Sequence, residues 1–214
     1  MKIKDFFSFS TKIFSSAILA KPVNLKNLTP TTGRLGDARK LVTNHYEDID
    51  FPVVFQEVEG KKWADLLDTG WTSLYLISEN MKKILKDNNL TGWDTFDIKI
   101  LDKKNNEVPG YSGFSVDGRC GKVDYKKCEI IQKRLVSTGP LVRIYKGLHI
   151  GLEEWDGTDF FLPEGTLEII ITSKAANVFK KNKLTNLYLK NLSEIETNES
   201  AVKIIEKRNE EQSF

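Results

Sequence analysis

Apolar and polar positions along this chain fall into one arrangement that occurs twice. Leu74-Tyr75-Leu76-Ile77 is a continuous apolar run, the pattern of a buried strand. Ser78 follows as a helix N-cap, and Met81, Ile84 and Leu85 keep helical spacing. Gly92 is placed to end that helix. Phe96-Asp97-Ile98-Lys99-Ile100 then alternates with period two, as a half-buried strand does. In the second half Leu167-Glu168-Ile169-Ile170-Ile171 reads as a strand and Thr172 or Ser173 starts a helix. Val178 and Phe179 form that helix's apolar face, and Leu187 and Leu189 alternate beyond it. The two endings, Leu90-Thr91-Gly92 and Leu184-Thr185-Asn186, lie 94 residues apart. Two strand–helix–strand units at one spacing read as an internal repeat. They predict an α+β fold with a mixed β-sheet covered by helices.

The rest of the chain predicts less regular structure. Residues 21–36 carry Pro22, Pro30, Gly33 and Gly36 and read as loop. Asp37 is placed to cap a short helix through Ala38, Leu41, Val42 and Tyr46. Asp50 to Phe55 reads as an extended piece beginning at Pro52, and Gly110, Gly113, Gly118 and Gly121 predict turns and short strands. From Ser193 the chain is polar, with Ala201, Ile204 and Ile205 as one stripe of a short helix and a frayed end over 209–214. The expected division is therefore 1–60, a segment packing on the core; 61–192, the α+β domain with its repeated units; and 193–214, a charged tail or short helix. Residues 1–20 mimic a signal peptide, but Asp5 and Lys12 interrupt the pattern and Ala17-Ile18-Leu19-Ala20 is a poor cleavage site. The reading taken is a first strand or helix that packs on the domain.

Composition narrows function mainly by exclusion. The 214 residues are 40% hydrophobic and 29% charged, with a net charge of +2, so no strong field draws the chain to nucleic acid or membrane. Lysine pairs such as Lys61-Lys62 and Lys126-Lys127 alternate with acids and fit solvated faces. No apolar run reaches the roughly 18 residues of a membrane span. No cofactor is expected. Thr31 to Asp37 lacks the length and the lysine of a phosphate loop. Cys120 and Cys128 make no paired metal-ligand motif, and the histidines, His45 and His149, do not complete one, so no metal is expected. Cys120 with His149 is conceivable as a nucleophile–base pair, with Arg119 beside the thiol to lower its pKa. Lone Cys and His residues are more often structural.

The most biased segment is 147–173, which holds Glu153, Glu154, Asp156, Asp159, Glu164 and Glu168 and no lysine or arginine. Two such carboxylates could hydrolyse a glycoside. The simpler reading is a solvated loop or a face that meets a basic partner. Trp155, Phe160 and Phe161 are interleaved with these acids, and rigid aromatics suit either core or interface. No catalytic residue is assigned. The candidate partner-binding residues are Glu153, Glu154, Trp155, Asp156 and Asp159.

Three groups of stretches, taken together, carry a resemblance. They are Asp65-Leu66-Leu67-Asp68-Thr69-Gly70-Trp71 running into Leu74–Ser78; Leu90-Thr91-Gly92-Trp93 with Gly110-Tyr111-Ser112-Gly113 and Gly118-Arg119-Cys120-Gly121; and Trp155-Asp156-Gly157-Thr158-Asp159-Phe160-Phe161 followed by Pro163-Glu164-Gly165-Thr166. This pattern resembles bacterial polymorphic-toxin immunity proteins, domain-of-unknown-function types related to a group with a double Cys-x-x-Cys-Gly motif. The chain lacks those cysteine pairs, so a zinc element does not carry over. The resemblance spans roughly residues 60–190. It implies a cytoplasmic, non-catalytic protein whose partner is one cognate toxin domain, which it binds and blocks. Motif glycines and tryptophans would form the fold, and no toxin-contacting residue transfers. The runner-up is a small hydrolase using the 153–159 acids or Cys120 with His149, and a third reading is a structural interaction module.

Overall fold

The computed structural model describes residues 2–26 and 36–211. Residues 27–35, with Pro30, Gly33 and most of the stretch weighed as a phosphate loop, lie outside the described residues, as do Met1 and 212–214. The chain is α+β and its strands form three sheets. One has six strands, in the order Ile150–Gly151, Gly118–Val123, Phe160–Pro163, Ile170–Thr172, Phe6–Thr11, Leu187–Asn191. Another has eight: Trp93–Phe96, Tyr111–Val116, Tyr75–Ser78, Leu66–Asp68, Leu19–Pro22, Val53–Glu59, Ile98–Leu101, Glu107–Val108. The third is small, with Glu129–Arg134, Leu141–Lys146 and Glu196–Asn198. The two large sheets are mixed, with parallel pairs such as Val53–Ile98 and Gly118–Phe161 among antiparallel ones.

The two large sheets share one local plan. Tyr75–Ser78 and Trp93–Phe96 are joined by a helix, Glu79–Asp87, and both pair antiparallel with Tyr111–Val116, which lies between them. Ile170–Thr172 and Leu187–Asn191 are joined by a helix, Ser173–Lys181, and both pair antiparallel with Phe6–Thr11. Beyond them come Leu66–Asp68 in one sheet and Phe160–Pro163 in the other, each antiparallel to its neighbour. Next come Leu19–Pro22 and Gly118–Val123, each parallel to the strand before it. The middle strand of each plan comes from outside its strand–helix–strand unit: Phe6–Thr11 sits in the sheet of helix Ser173–Lys181, and Tyr111–Val116 in the sheet of helix Glu79–Asp87. Phe9 and Phe114, one from each middle strand, meet at 6.0 Å, and Phe160 packs on both at 5.8 and 5.4 Å. These rings sit in the larger of two core clusters; the smaller gathers Phe6, Phe161, Ile170, Leu192 and Val202.

Several local expectations change. Gly36, in extended backbone, is the N-cap of helix Asp37–Val42, so Asp37 is its first residue and Tyr46 lies past its end. Tyr46 instead packs its ring on Phe51 and Phe96 and shares a hydrogen bond with Ser115 at 2.7 Å. Burial raises its phenol to about 12. Ser78 does cap its helix, accepting from the Met81 amide at 3.1 Å, and Thr172 does the same for Ala175 at 3.3 Å. Each helix ends before the residue expected to stop it. Asp87 and Lys181 are their last residues, and the left-handed positions are Asn89 and Lys183. Gly92 (φ +83°) and Asn186 (φ +63°) are left-handed too, but they turn the chain into the next strand. The run Phe96 to Ile100 is two strands, not one, on separate neighbours. The final helix continues to Glu211 through part of the stretch expected to fray.

One carboxylate from each half, half-buried at Asp65 and buried at Asp159, ties it to the other. Asp65 accepts from Ser78 Oγ at 2.8 Å and Asn80 Nδ2 at 2.9 Å, within its own half. It also accepts from Thr185 N at 2.9 Å and Thr185 Oγ1 at 2.7 Å, 120 residues away. Asp159 accepts from Thr172 Oγ1 at 2.7 Å and Lys174 Nζ at 2.8 Å, and from the Thr91 amide at 3.2 Å. Each aspartate also donates its own amide to the distant threonine, at 2.8 Å for Thr185 and 3.2 Å for Thr91. Burial works against charge on Asp65, but the hydrogen bonds from Asn80, Thr185 and Ser78 outweigh it and hold the carboxyl below the usual range.

Removing either carboxylate strands a helix cap and a distant threonine, so Asp65→Ala and Asp159→Ala should each cost about 2–3 kcal/mol, read as a lower urea midpoint at unchanged slope. The Asp65 contribution is present above the unfolded aspartate pKa of about 3.9 and is lost as pH falls through the lower folded value. Asp65→Asn should therefore flatten the stability profile below about pH 4 relative to the unsubstituted protein.

Candidate functional site

The acidic segment divides between surface and interior. Glu153 and Glu154 lie in a single 3-10 turn, Leu152–Glu154, and are exposed. Trp155 turns inward, with its ring edge-on to Phe6 at 5.3 Å and tilted on Phe161 at 5.5 Å. Its buried indole Nε1 has no hydrogen-bond partner among the described residues. Asp156 is exposed, but both its oxygens are used: Oδ2 accepts from the Arg119 amide at 2.7 Å, and Oδ1 from Thr158 N at 3.0 Å and Thr158 Oγ1 at 2.6 Å. Asp159, expected on a charged outer face, is 6% exposed and bound in the tie described above. Its period in the sequence matched the acids around it, and only the contacts of Thr91, Thr172 and Lys174 distinguish it.

The motif glycines around this segment are sites of close approach. A Cβ on Gly118 would lie 2.0 Å from Thr158 Oγ1, and one on Gly92 would lie 2.1 Å from the Phe160 carbonyl. The loop 155–160 thus presses onto Gly92 and Gly118 while its backbone bonds to Thr91 and Arg119. Three of the resembling stretches, around Thr91-Gly92, Gly118-Arg119 and Asp156–Phe160, meet here.

Cys120 and His149 are not brought together as a nucleophile and base. The Cys120 thiol is buried and donates to the Gly121 carbonyl at 3.4 Å; among the described residues no hydrogen bond joins it to His149. Burial, with Asp156 and Glu154 nearby, pushes it up to about 12, the reverse of activation. Arg119 does not lower it, because its guanidinium donates to the carbonyls of Val116 (2.7 Å), Gly118 (2.8 Å) and Thr43 (2.9 Å). The Cys128 thiol donates to the Gly147 carbonyl at 2.7 Å and is also raised by burial.

A furrow that the sequence did not reveal runs past these groups. Its first part, about 400 Å³, is walled by Arg39, Arg119, Cys120, Glu154 and Glu164. Arg39, Gly165 and Thr166 are shared with a second part of about 440 Å³, floored by Val123, Leu148, Ile195 and Ile205. Glu168 and Thr72 are shared with a third part of about 390 Å³ beside Trp71 and Tyr75. Glu168 accepts a hydrogen bond from Ser8 Oγ, and burial raises its carboxyl above the usual range. Among the described residues no three His, Cys, Asp or Glu side chains gather as a metal would require, and no helix is long and apolar enough to cross a membrane.

Elsewhere the surface carries apolar groups. Ile13 and Phe14 stand exposed in the turn after the first strand, and Ile130, Leu135, Val136 and Leu141 do so on the hairpin of the small sheet. Neither a protein-family model nor a curated protein matches this chain.

Two outcomes test these assignments. Both thiols should react with a disulfide reagent at pH 8 only as fast as the chain opens, with rapid reaction of both on denaturation; prompt labelling of one thiol in the native protein would contradict the burial of Cys120 and Cys128. Glu168, raised in the folded state, costs stability as pH rises from the unfolded glutamate pKa of about 4.3 through its folded value. Glu168→Gln should therefore be more stable than the unsubstituted protein at pH 7, with the difference vanishing below about pH 4.

Proposed function

We propose that this chain is an immunity protein that binds one cognate toxin domain of a polymorphic toxin system in the cytoplasm and blocks it by occluding its active site. The observation that carries the reading is the use made of the resembling stretches. Their glycines, threonines and aspartates are spent on close approach, turns and the two cross-ties, as expected of a scaffold whose binding surface lies elsewhere. The exposed apolar groups on loops and on the hairpin supply surface for a partner. The hydrolase alternative, on the 153–159 acids or on Cys120 and His149, draws less support. Asp159 and Asp156 are committed to structural bonds, and the thiol is raised.

We infer in addition that the two halves are copies of one unit that have exchanged a strand. The support is positional. Adding 94 to Asp65, Ser78, Asn80, Thr91 and Trp93 gives Asp159, Thr172, Lys174, Thr185 and Leu187. The first four pairs occupy matching places in the two ties, and Trp93 and Leu187 each begin the strand that follows.

Calorimetry with a catalytically inactivated copy of the toxin domain encoded beside this gene tests the function. A one-to-one complex at nanomolar affinity or tighter is expected, because a few escaped toxin molecules suffice to kill, together with growth rescue against the active domain. Absence of both binding and rescue would sink the reading.

A further inference from the structure

We infer that the hairpin Glu129–Lys146 is the arm by which this protein enters an acidic, carboxylate-lined cleft of its partner, adding its outer strand to the partner and burying its apolar tip. The inference rests on the immunity reading above. From Glu129 to Arg143 every residue is exposed or half-buried, and the first buried residue is Ile144. Ile130, Leu135, Val136 and Leu141 are each more than half exposed. Only the base of the hairpin has outside pairing, Ile144–Lys146 against Glu196–Asn198; from Gln132 to Val142 the two strands pair with each other alone. A two-stranded ribbon without a buried face is marginal in water, so a strand-rich arm with unburied Ile, Leu and Val gains most when a partner covers it.

The edge and the charge say what covers it. Glu129–Arg134 ends its sheet, so one row of its amides and carbonyls is unpaired among the described strands, a ready template for an added strand. Lys126, Lys127, Lys133, Arg134, Arg143 and Lys146 outnumber Asp124 and Glu129 along the arm and its root. Glu196 and Glu199 of the neighbouring segment take up Lys133 and Arg143 at 2.6 and 3.4 Å. Asp124 and Glu129 take up Lys127 and Lys146 at 3.3 and 3.9 Å, which leaves a basic excess of Lys126 at the root and Arg134 near the tip, the latter held to the Gly139 carbonyl. An acidic surface is what such an arm steers toward. The fold's plan points the same way. Between Leu19–Pro22 and Leu66–Asp68 the intervening chain returns buried residues to the larger core, among them Leu41, Val53 and Phe55. Between Gly118–Val123 and Phe160–Pro163 the corresponding stretch sends only Tyr125, Cys128, Leu148 and Ile150 as buried residues to the smaller core, and the arm between Cys128 and Ile144 extends beyond it.

The test uses the full chain and the inactivated toxin domain encoded beside it. The substitutions Ile130→Ser, Leu135→Ser and Val136→Ser together, and Arg134→Glu alone, all fall on exposed positions. Their melting curves should match the unsubstituted protein. The triple variant should weaken binding by about 30-fold or more, and Arg134→Glu should slow association and reduce the salt dependence of the affinity. Amides of 129–142 should become protected from hydrogen exchange in the complex. Folded arm variants that bind within about twofold of the unsubstituted chain, with Glu153→Lys and Glu154→Lys abolishing binding instead, would overturn the arm and leave the immunity reading standing. No binding by the unsubstituted chain would remove both.

Discussion

Everything in this structure is arranged around two carboxylates that cannot be satisfied within their own half. Asp65 and Asp159 each hold the N-cap hydroxyl of the helix that follows, which is a local bond. Each also holds a threonine in the turn after the helix of the opposite half, which is not. A part-buried carboxylate left without donors costs more than a hydrogen bond gains, so each half is correctly capped only when the other is in place. The two middle strands work in the same direction. Phe6–Thr11 completes one sheet and Tyr111–Val116 the other, and their Phe9 and Phe114 rings touch in the middle. Polar ties and apolar packing therefore impose one condition, that both halves fold together.

That condition explains the glycines better than turn chemistry does. Gly118 is not in a left-handed conformation, yet no larger residue fits, because the Thr158 hydroxyl and the Phe160 carbonyl occupy the space a Cβ needs. Gly113 is similar, with the Phe96 ring 2.1 Å from where a Cβ would sit. Gly118 lets loop and strand approach closely enough for the Asp156–Arg119 and Asp159–Thr91 bonds to form, and Gly113 makes room for Phe96, its partner on the neighbouring strand.

The sequence made the periodic parts legible and hid the rest for identifiable reasons. Ser78 and Thr172 were readable because a cap followed by helical spacing is a local signal, and the alternation from Leu187 was readable for the same reason. The partners of Phe6–Thr11 were not, since pairing with Ile170–Thr172 and Leu187–Asn191, far along the chain, leaves no mark on local periodicity. Asp159 looked like its acidic neighbours because burial depends on contacts with Thr91 and Lys174 that lie far off in sequence. The furrow beside Glu168 was equally invisible, being lined by strand, helix and loop residues, such as Ser8, Arg39, Arg119 and Ile205, that lie far apart in the chain. Cys120 was misjudged for electrostatics: Arg119 precedes it in the chain but spends its charge on three carbonyls.

The two candidate partner surfaces differ in what the fold asks of them. Of the acidic segment, Glu153 and Glu154 are the carboxylates left free for solvent, while Trp155, Asp156 and Asp159 hold Phe6, Arg119 and Thr91 in place. A surface that is also a joint can vary little without loosening the core. The hairpin is held through its base, and most of its side chains face water on both sides. Changing its sequence disturbs neither tie and neither middle strand. The structure thus separates a scaffold of ties and middle strands from an arm whose side chains take part in neither.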